Sequence, residues 1–328
     1  MQPLINQLQV LQQTYQSQSQ VARIDSELPA IKVLGNSLNS YRVFHGRGHQ
    51  YPGLEFVCVD LFQPVLLITF YNEPPAGWLE DFLHQAVPFF SPVISAVLVQ
   101  NRHEVKAPSH LVWGVMPERV FASRDQQQFL LQLGQQQNSG FFLDMEPGRL
   151  WVEQHAQGKK ILNLFAYTCA FSVVAIAAGA ETVVNVDMSG RALSIGRDNH
   201  QLNGLEKSRS VFLAENILKS WGRIKRRGPY DMVILDPPSY QPGSFVAQKD
   251  YVRLVRRLPE LMPNGGDILA CLNAPELGVD FLREVFAQQC PSCEFVERLI
   301  PHADFPDVDP ERQLKLLIFR LPAANPEE

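Results

Sequence analysis

Several features that would commit a chain to a large class of proteins are missing from this sequence. Its 328 residues contain no apolar run of the ~18 positions that a membrane-spanning helix needs. Met1 to Gln20 is rich in glutamine and lacks the basic-then-apolar order of a secretory signal. Cysteine is scarce and odd in number, with five in the chain, which argues against a disulfide framework and for a reducing, cytoplasmic setting. The net charge of −5 gives no overall attraction for nucleic acid, so any such contact has to come from local basic patches.

What is present is an ordinary globular composition, 45% hydrophobic, in a chain long enough for one large domain and a smaller one. Over residues 1–30, Leu4, Leu8, Leu11 and Tyr15 share one helical face, predicting a helical segment that lies on the body of the protein or, alternatively, joins two copies as a homodimer. Residues 31–138 read as a small α+β domain. Strands are predicted over Ser40 to Phe44, Leu54 to Leu61, Val65 to Tyr71 and Pro92 to Gln100, a helix over Gly77 to Phe90, and a β-hairpin turning near Arg124-Asp125. His45 and His49, set among glycines with no Cys, Asp or Glu partner nearby, read as turn residues and not as metal ligands.

Beyond the polar stretch Gly134 to Gly140, residues 139–328 alternate between strand-like and helix-like segments. The pattern predicts an α/β domain with a doubly wound, mostly parallel sheet of seven strands. Its last two strands, within Cys293 to Ile300 and Gln313 to Leu321, have no helix between them and are expected to form an antiparallel edge pair.

Two strand ends stand out. Met232 to Leu235 is a buried-strand pattern that stops at Asp236-Pro237-Pro238, followed by Ser239 and Tyr240. The prolines fix φ and carry no N–H, so a carboxylate, free carbonyls and an aromatic ring gather at a strand's carboxyl end, where open α/β sheets bind ligands. Asp187 closes the strand Thr182 to Val186, about twenty residues after the first strand's turn, the spacing of an acid that accepts both hydroxyls of a ribose. It also suits a helix cap, a task Ser189 could share. The first turn, Leu162 to Ser172, has no Gly-x-Gly-x-x-Gly, which argues against a nicotinamide dehydrogenase. A cofactor with an adenosine and an amino-acid tail but no pyrophosphate, S-adenosylmethionine (SAM), fits what remains.

Leu162-Asn-Leu-Phe-Ala-Tyr-Thr168, Val186-Asp-Met-Ser189, Asn199 to Gly204 and Leu235-Asp-Pro-Pro-Ser-Tyr240 together resemble class I SAM-dependent methyltransferases, particularly the large-subunit (23S) ribosomal RNA methyltransferases of the I and K/L types. Gln137 to Asp144 with Arg149, and His45-Gly-Arg-Gly48 with Pro52-Gly-Leu-Glu55, resemble the same family. The resemblance implies a Rossmann-like methyltransferase fold in which Asn163, Phe165, Ala166, Tyr167 and Thr168 line the methionine half of SAM. Asp187 would hold the ribose, Met188 would pack on the adenine, and Asn216, where the family usually has an aspartate, would accept from the adenine amino group with Ile217 beside it. Asp236, Pro237 and Tyr240 would face the transferred methyl group. There are departures. Cys169 and Ala170 replace glycines and are expected to narrow the turn, Glu146 stands where a basic residue is common, and the RNA-binding module that precedes the I-type enzymes has no counterpart.

The atom methylated turns on nucleophile chemistry. Cytosine C5 needs a cysteine thiolate to add to the ring first, and the aligned position here is Ala274; Cys271, three residues earlier, reads as a core residue. A base nitrogen needs only acceptors such as Asp236 and the Pro237 carbonyl, with Tyr240 stacking on the base for ~1–3 kcal/mol. Arg223, Lys225, Arg226 and Arg227, and Arg253, Arg256 and Arg257, flank Asp236 in sequence and read either as an RNA surface or as solvated helix ends. Cys290-Pro-Ser-Cys293 has no second pair, so no metal is expected. The expectation is a SAM-dependent methyltransferase acting on a base nitrogen of ribosomal RNA. The alternatives are a cytosine-C5 enzyme, a protein or small-molecule N-methyltransferase, and a non-catalytic RNA-binding protein on the same scaffold.

Overall fold

A computed structural model describes residues 39–241 and 243–323; the helix expected over residues 1–30 lies outside them. The chain divides into two compact units, one running to Leu143 and taking in Asp304–Val308, the other comprising Asp144–Ala303 and the chain from Asp309 onward.

In the first unit, β1 (Tyr41–His45), β2 (Val57–Phe62), β3 (Val65–Phe70), β4 (Ala96–Asn101) and β5 (Ser109–Gly114) form one sheet in that order. β2 and β3 are buried at every position. β3 and β4 run parallel, which requires a crossover, and α1 (Trp78–Phe90) provides it. Trp78, Phe82, Ala86 and Phe90 recur at helical spacing and bury one face of α1 in that unit's core. The hairpin of β6 (Val120–Arg124) and β7 (Gln127–Leu131) turns at Asp125, as the sequence suggested. β5 was not anticipated, because Ser-His-Leu-Val-Trp-Gly is half exposed and carries no apolar alternation. His45 is an internal acceptor: Arg42, gripped by Asp60 at 2.7 and 3.0 Å, lies 2.9 Å from its Nδ1. Burial, then Arg42 and Arg47, push His45 down to about 3, so its ring is neutral. Among the described residues, no group of His, Cys, Asp and Glu could hold a metal ion.

The second unit opens with α2 (Glu146–His155) and continues through β8 (Lys160–Leu164), α3 (Ala170–Ala177), β9 (Thr182–Asp187), α4 (Gly190–Leu202), β10 (Ser210–Ala214), α5 (Trp221–Lys225) and β11 (Met232–Leu235). A two-residue ribbon, β12 (Tyr240–Gln241) with β13 (Phe245–Val246), leads into α6 (Ala247–Val255), α7 (Leu258–Leu261), β14 (Gly266–Leu272), α8 (Val279–Gln289), β15 (Glu294–Arg298) and β16 (Lys315–Leu321). The seven-stranded sheet has the order β10-β9-β8-β11-β14-β16-β15. The first five strands are mutually parallel, and β16 is antiparallel to both neighbours. The predicted terminal pair therefore exists, but β16 inserts beside β14, and of the two only β15 lies at an edge of the sheet. Burial explains the choice: β16 is sealed at all positions except Arg320, whereas β15 is mostly exposed. Apolar side chains cover both faces, Leu162, Val184 and Leu235 on one and Ile161, Val183 and Ile234 on the other. Among the described residues, no helix is long and apolar enough to cross a membrane.

Candidate functional site

Because β8, β9, β10 and β11 run parallel, their carboxyl ends share one edge of the sheet, and every sequence-predicted site residue falls at or just beyond it. Register fixes the spacing. Leu164 pairs with Val186 on one side and Leu235 on the other, so Asp187 and Asp236 stand level with Phe165 on flanking strands. Two strand spacings put the acids about 10 Å apart.

The turn after β8 is held in an uncommon conformation. Phe165, Tyr167 and Cys169 all have left-handed φ, at 58°, 47° and 62°, a region most non-glycine residues avoid. Backbone and side-chain bonds hold it there. The Tyr167 N–H donates to Asp187 Oδ2 (2.9 Å), the Ala166 N–H to the Val186 carbonyl (3.1 Å), and Asn199 Nδ2 to the Thr168 carbonyl (3.0 Å). The Ser189 N–H donates to Asp187 Oδ1 (2.8 Å), while Ser189 Oγ caps α4 by accepting from the Ala192 N–H. Burial raises the Asp187 pKa, with the Ser189 and Tyr167 amides pulling against it. Each Asp187 oxygen accepts one of these bonds and has room for another.

Around this turn lie groups with unused capacity. Met188 is 48% exposed. The partly exposed Asn216 amide makes no side-chain hydrogen bond among the described residues, whereas Ile217 is turned into the core. Asn163 is 1% exposed and donates from Nδ2 to Asn185, yet its Oδ1 has no partner. Phe165 packs edge-on against Phe245, 5.1 Å between centroids.

Asp236 follows β11 directly, is only partly exposed, and makes no hydrogen bond among the described residues. Burial, then the neighbouring Asp144, raises its pKa to about 7, against the opposing pull of Arg149. Arg149 is itself buried and paired with Glu146 at 2.9 Å. Asp144 and Arg149 belong to the Gln137 to Arg149 stretch that resembled the family, but their electrostatic hold on Asp236 was not legible there. Pro237 is buried, and Tyr240 is 66% exposed on the short ribbon.

Two expectations are revised, and that of Cys271 as a core residue holds. Cys169 does not narrow the turn toward the ligand side. Its side chain is buried against α4, where a Cβ at Gly196 would lie 2.4 Å from Cys169 Sγ, so the missing glycine in the turn is matched by a glycine in the helix. The basic clusters are each divided in space and do not form one surface around the Asp236 loop. Lys225, Arg226 and Arg227 approach the amino end of β11, and Arg256 and Arg257 lead through α7 to the amino end of β14. There Lys225 and Arg257 share Glu260, whereas Arg223 pairs with Glu215 just past the carboxyl end of β10, and Arg253 with Asp250, which also accepts from the Val246 N–H on the ribbon. Cys271 is a core thiol in β14, its pKa driven up by burial and then by Asp236 and Asp144.

A mostly parallel sheet in this strand order, with acids ending the two strands that flank β8, is the kind of edge at which α/β proteins hold a nucleoside cofactor. The family model for S-adenosylmethionine-dependent methyltransferases matches residues 41–320, and the chain belongs to that family. Among curated relatives, Ribosomal RNA large subunit methyltransferase I of Yersinia pseudotuberculosis serotype O:1b (strain IP 31758) is 26% identical over 285 residues, covering 83% of this chain and 71% of the relative. Among solved structures, SMU.776, crystallised in complex with SAH, superposes with a TM-score of 0.80 at 22% identity, covering 97% of this chain and 81% of that one. The M. jannaschii tRNA m1G37 methyltransferase superposes with a TM-score of 0.59 at 13% identity, covering 80% and 74%. Both structural likenesses bear on the fold. The protein is a SAM-dependent methyltransferase with a Rossmann-like sheet.

Proposed function

We propose that this enzyme methylates a nitrogen of a base in RNA, in the cytoplasm, with large-subunit ribosomal RNA as its substrate. The observation that carries the reading is Asp236: a partly buried carboxyl without a hydrogen-bond partner among the described residues, its pKa raised to about 7, at the start of the Asp-Pro-Pro turn that leads to the exposed Tyr240. An exocyclic amine has a delocalised lone pair; two acceptors on its N–H groups localise that pair, and Asp236 can take the proton released once the nitrogen carries a methyl group. Tyr240 offers the face on which a splayed-out base stacks. SAM supplies the activated methyl group on its sulfonium, so the protein's task is alignment and exclusion of water.

In this reading the cofactor's ribose hydroxyls donate to Asp187, its adenine lies on Met188 with its amino group toward Asn216, and its amino-acid tail meets Asn163 and the turn from Phe165 to Thr168. The spare acceptors found at Asp187, Asn216 and Asn163 suit those donors. Methylation at C5 is disfavoured because Cys271 is enclosed in the core and Ala274 holds no thiol. The large-subunit substrate follows the name of the Yersinia relative. Mass spectrometry of nucleosides from ribosomal RNA of cells with and without this gene tests the proposal. One N-methylated base should disappear and return when purified enzyme and SAM are added to the unmodified RNA. An unchanged nucleoside profile, or loss of a 5-methylcytosine, would reject it.

A further inference from the structure

Behind Asn163 runs a chain of buried polar side chains drawn from four elements. Asn163 Nδ2 on β8 donates to Asn185 Oδ1 on β9 (2.9 Å), and Asn185 Nδ2 donates to Ser172 Oγ on α3 (2.9 Å). Ser172 Oγ lies 2.9 Å from His200 Nε2 on α4, and His200 Nδ1 lies 2.7 Å from the Gly196 carbonyl oxygen. All four side chains are buried, and the chain ends in the unpartnered Asn163 Oδ1.

Its polarity is set at the far end. The Gly196 carbonyl can only accept, so His200 Nδ1 carries the proton. Burial lowers the His200 pKa, against the pull of the Gly196 carbonyl, so the ring is neutral and Nε2 is bare. A bare Nε2 can only accept, so the Ser172 hydroxyl donates to it and the Ser172 oxygen accepts from Asn185. Asn185 then has its carbonyl left for Asn163, which must offer its NH2 to Asn185 and keep its own carbonyl unpaired. Reversing one link would set two donors or two acceptors face to face in a buried site, the costly arrangement.

We infer that His200 is a positioning residue for the cofactor: through Ser172 and Asn185 it holds Asn163 in the one orientation that presents an acceptor, and that acceptor selects the α-ammonium group of the methyl donor over an uncharged end. The inference rests on the proposed place of Asn163 beside the cofactor's amino-acid tail. Strand alternation agrees with it, since Asn163 pairs with Ile234 and Asp236 follows on the same face two residues further along. The orphaned Asn163 carbonyl and the strand end that carries Asp236 thus lie on one face of neighbouring strands.

Titration calorimetry on the full chain, with SAH and with its des-amino analogue in which hydrogen replaces the ammonium, tests this. The wild type should prefer SAH by about tenfold to a hundredfold, the usual worth of a charge-assisted hydrogen bond. His200→Leu removes the terminal acceptor and should abolish most of that preference while leaving affinity for the des-amino analogue unchanged. Ser172→Ala breaks the same chain with a smaller change of shape and should do likewise. Adding Asn163→Asp to His200→Leu should restore the preference, because a carboxylate accepts in either orientation. Wild-type discrimination that survives in both His200→Leu and Ser172→Ala overturns the inference alone, as does an equal loss of affinity for both ligands. A wild type that binds SAH without discriminating removes Asn163 from the ammonium, and one that binds neither ligand overturns the cofactor-site reading beneath it.

Discussion

Replacing Asp236 with asparagine should make the enzyme much slower and, at alkaline pH, more stable. The carboxyl is raised to about 7 by burial and by Asp144, against about 3.9 in an unfolded chain. A raised folded pKa means that this group's contribution to stability is fully present below about pH 3.9 and is lost as pH rises through about 7. At pH 8, where it is ionised in both states, the wild type gives up about 2–4 kcal/mol that asparagine does not. For a unit of this size that is a gain of about 5–10 °C in the thermal midpoint of the Asp236→Asn variant at pH 8. At pH 4 the two proteins should melt together. Catalysis runs the other way, because the ionised form is the acceptor. Single-turnover methyl transfer by the wild type should rise about tenfold between pH 6 and pH 8, and the variant should lose that limb together with about two to three orders of magnitude in rate. Differential scanning fluorimetry across pH and a labelled-methyl transfer assay supply both readouts. A variant that melts lower than wild type at pH 8, or a wild-type rate that is flat from acid to alkaline pH, would refute the assignment.

Asp187→Ala should weaken SAH binding by about 1–3 kcal/mol in calorimetry, since it deletes a charged acceptor and also frees the Tyr167 and Ser189 amides. Tyr240→Ala should lower RNA affinity, measured by filter binding, by about 1–3 kcal/mol while leaving SAH affinity unchanged. Gly196→Ala should destabilise the fold by about 1–3 kcal/mol in urea melts through the clash with Cys169, and adding Cys169→Gly should recover most of the loss. Burial would raise Asp267, but Lys159 (2.6 Å) and Arg320 (3.0 and 2.8 Å) outweigh it and hold its carboxyl below the usual range. Asp267→Asn should therefore cost about 1–3 kcal/mol at pH 7. Stability from a depressed carboxyl is present above about pH 3.9 and lost as pH falls through its folded pKa, so the gap between variant and wild type should close in acid melts.

The parts of the site legible in the sequence were those set by strand ends. Asp187 and Asp236 each terminate an apolar run, and parallel alternation obliges such ends to share an edge. The helix start at Ser189 was equally local. What could not be read depended on partners far along the chain. The direction of the Cys169 side chain is decided by a glycine in α4, and the polarity of Asn163 by a histidine in that same helix, three elements further along. The basic clusters misled because the helices on either side of Asp236 return the chain to the sheet's opposite edge and carry Lys225 to Arg227 and Arg256 and Arg257 with them, leaving Arg223 and Arg253 behind. Asp304–Val308 illustrates the same limit, a short piece of the late chain counted with the early strands.

The insertion of β16 between β14 and β15 also orders events during synthesis. β15 is translated first yet has no neighbour to dock on, and β14 leaves the ribosome with one flank bare, until the seven residues Lys315–Leu321 emerge to zip both at once. A nascent or prematurely terminated chain would therefore carry a sticky, unsealed sheet beside an otherwise assembled cofactor edge, which makes the arrival of β16 the step that separates a finished enzyme from a substrate for chaperones.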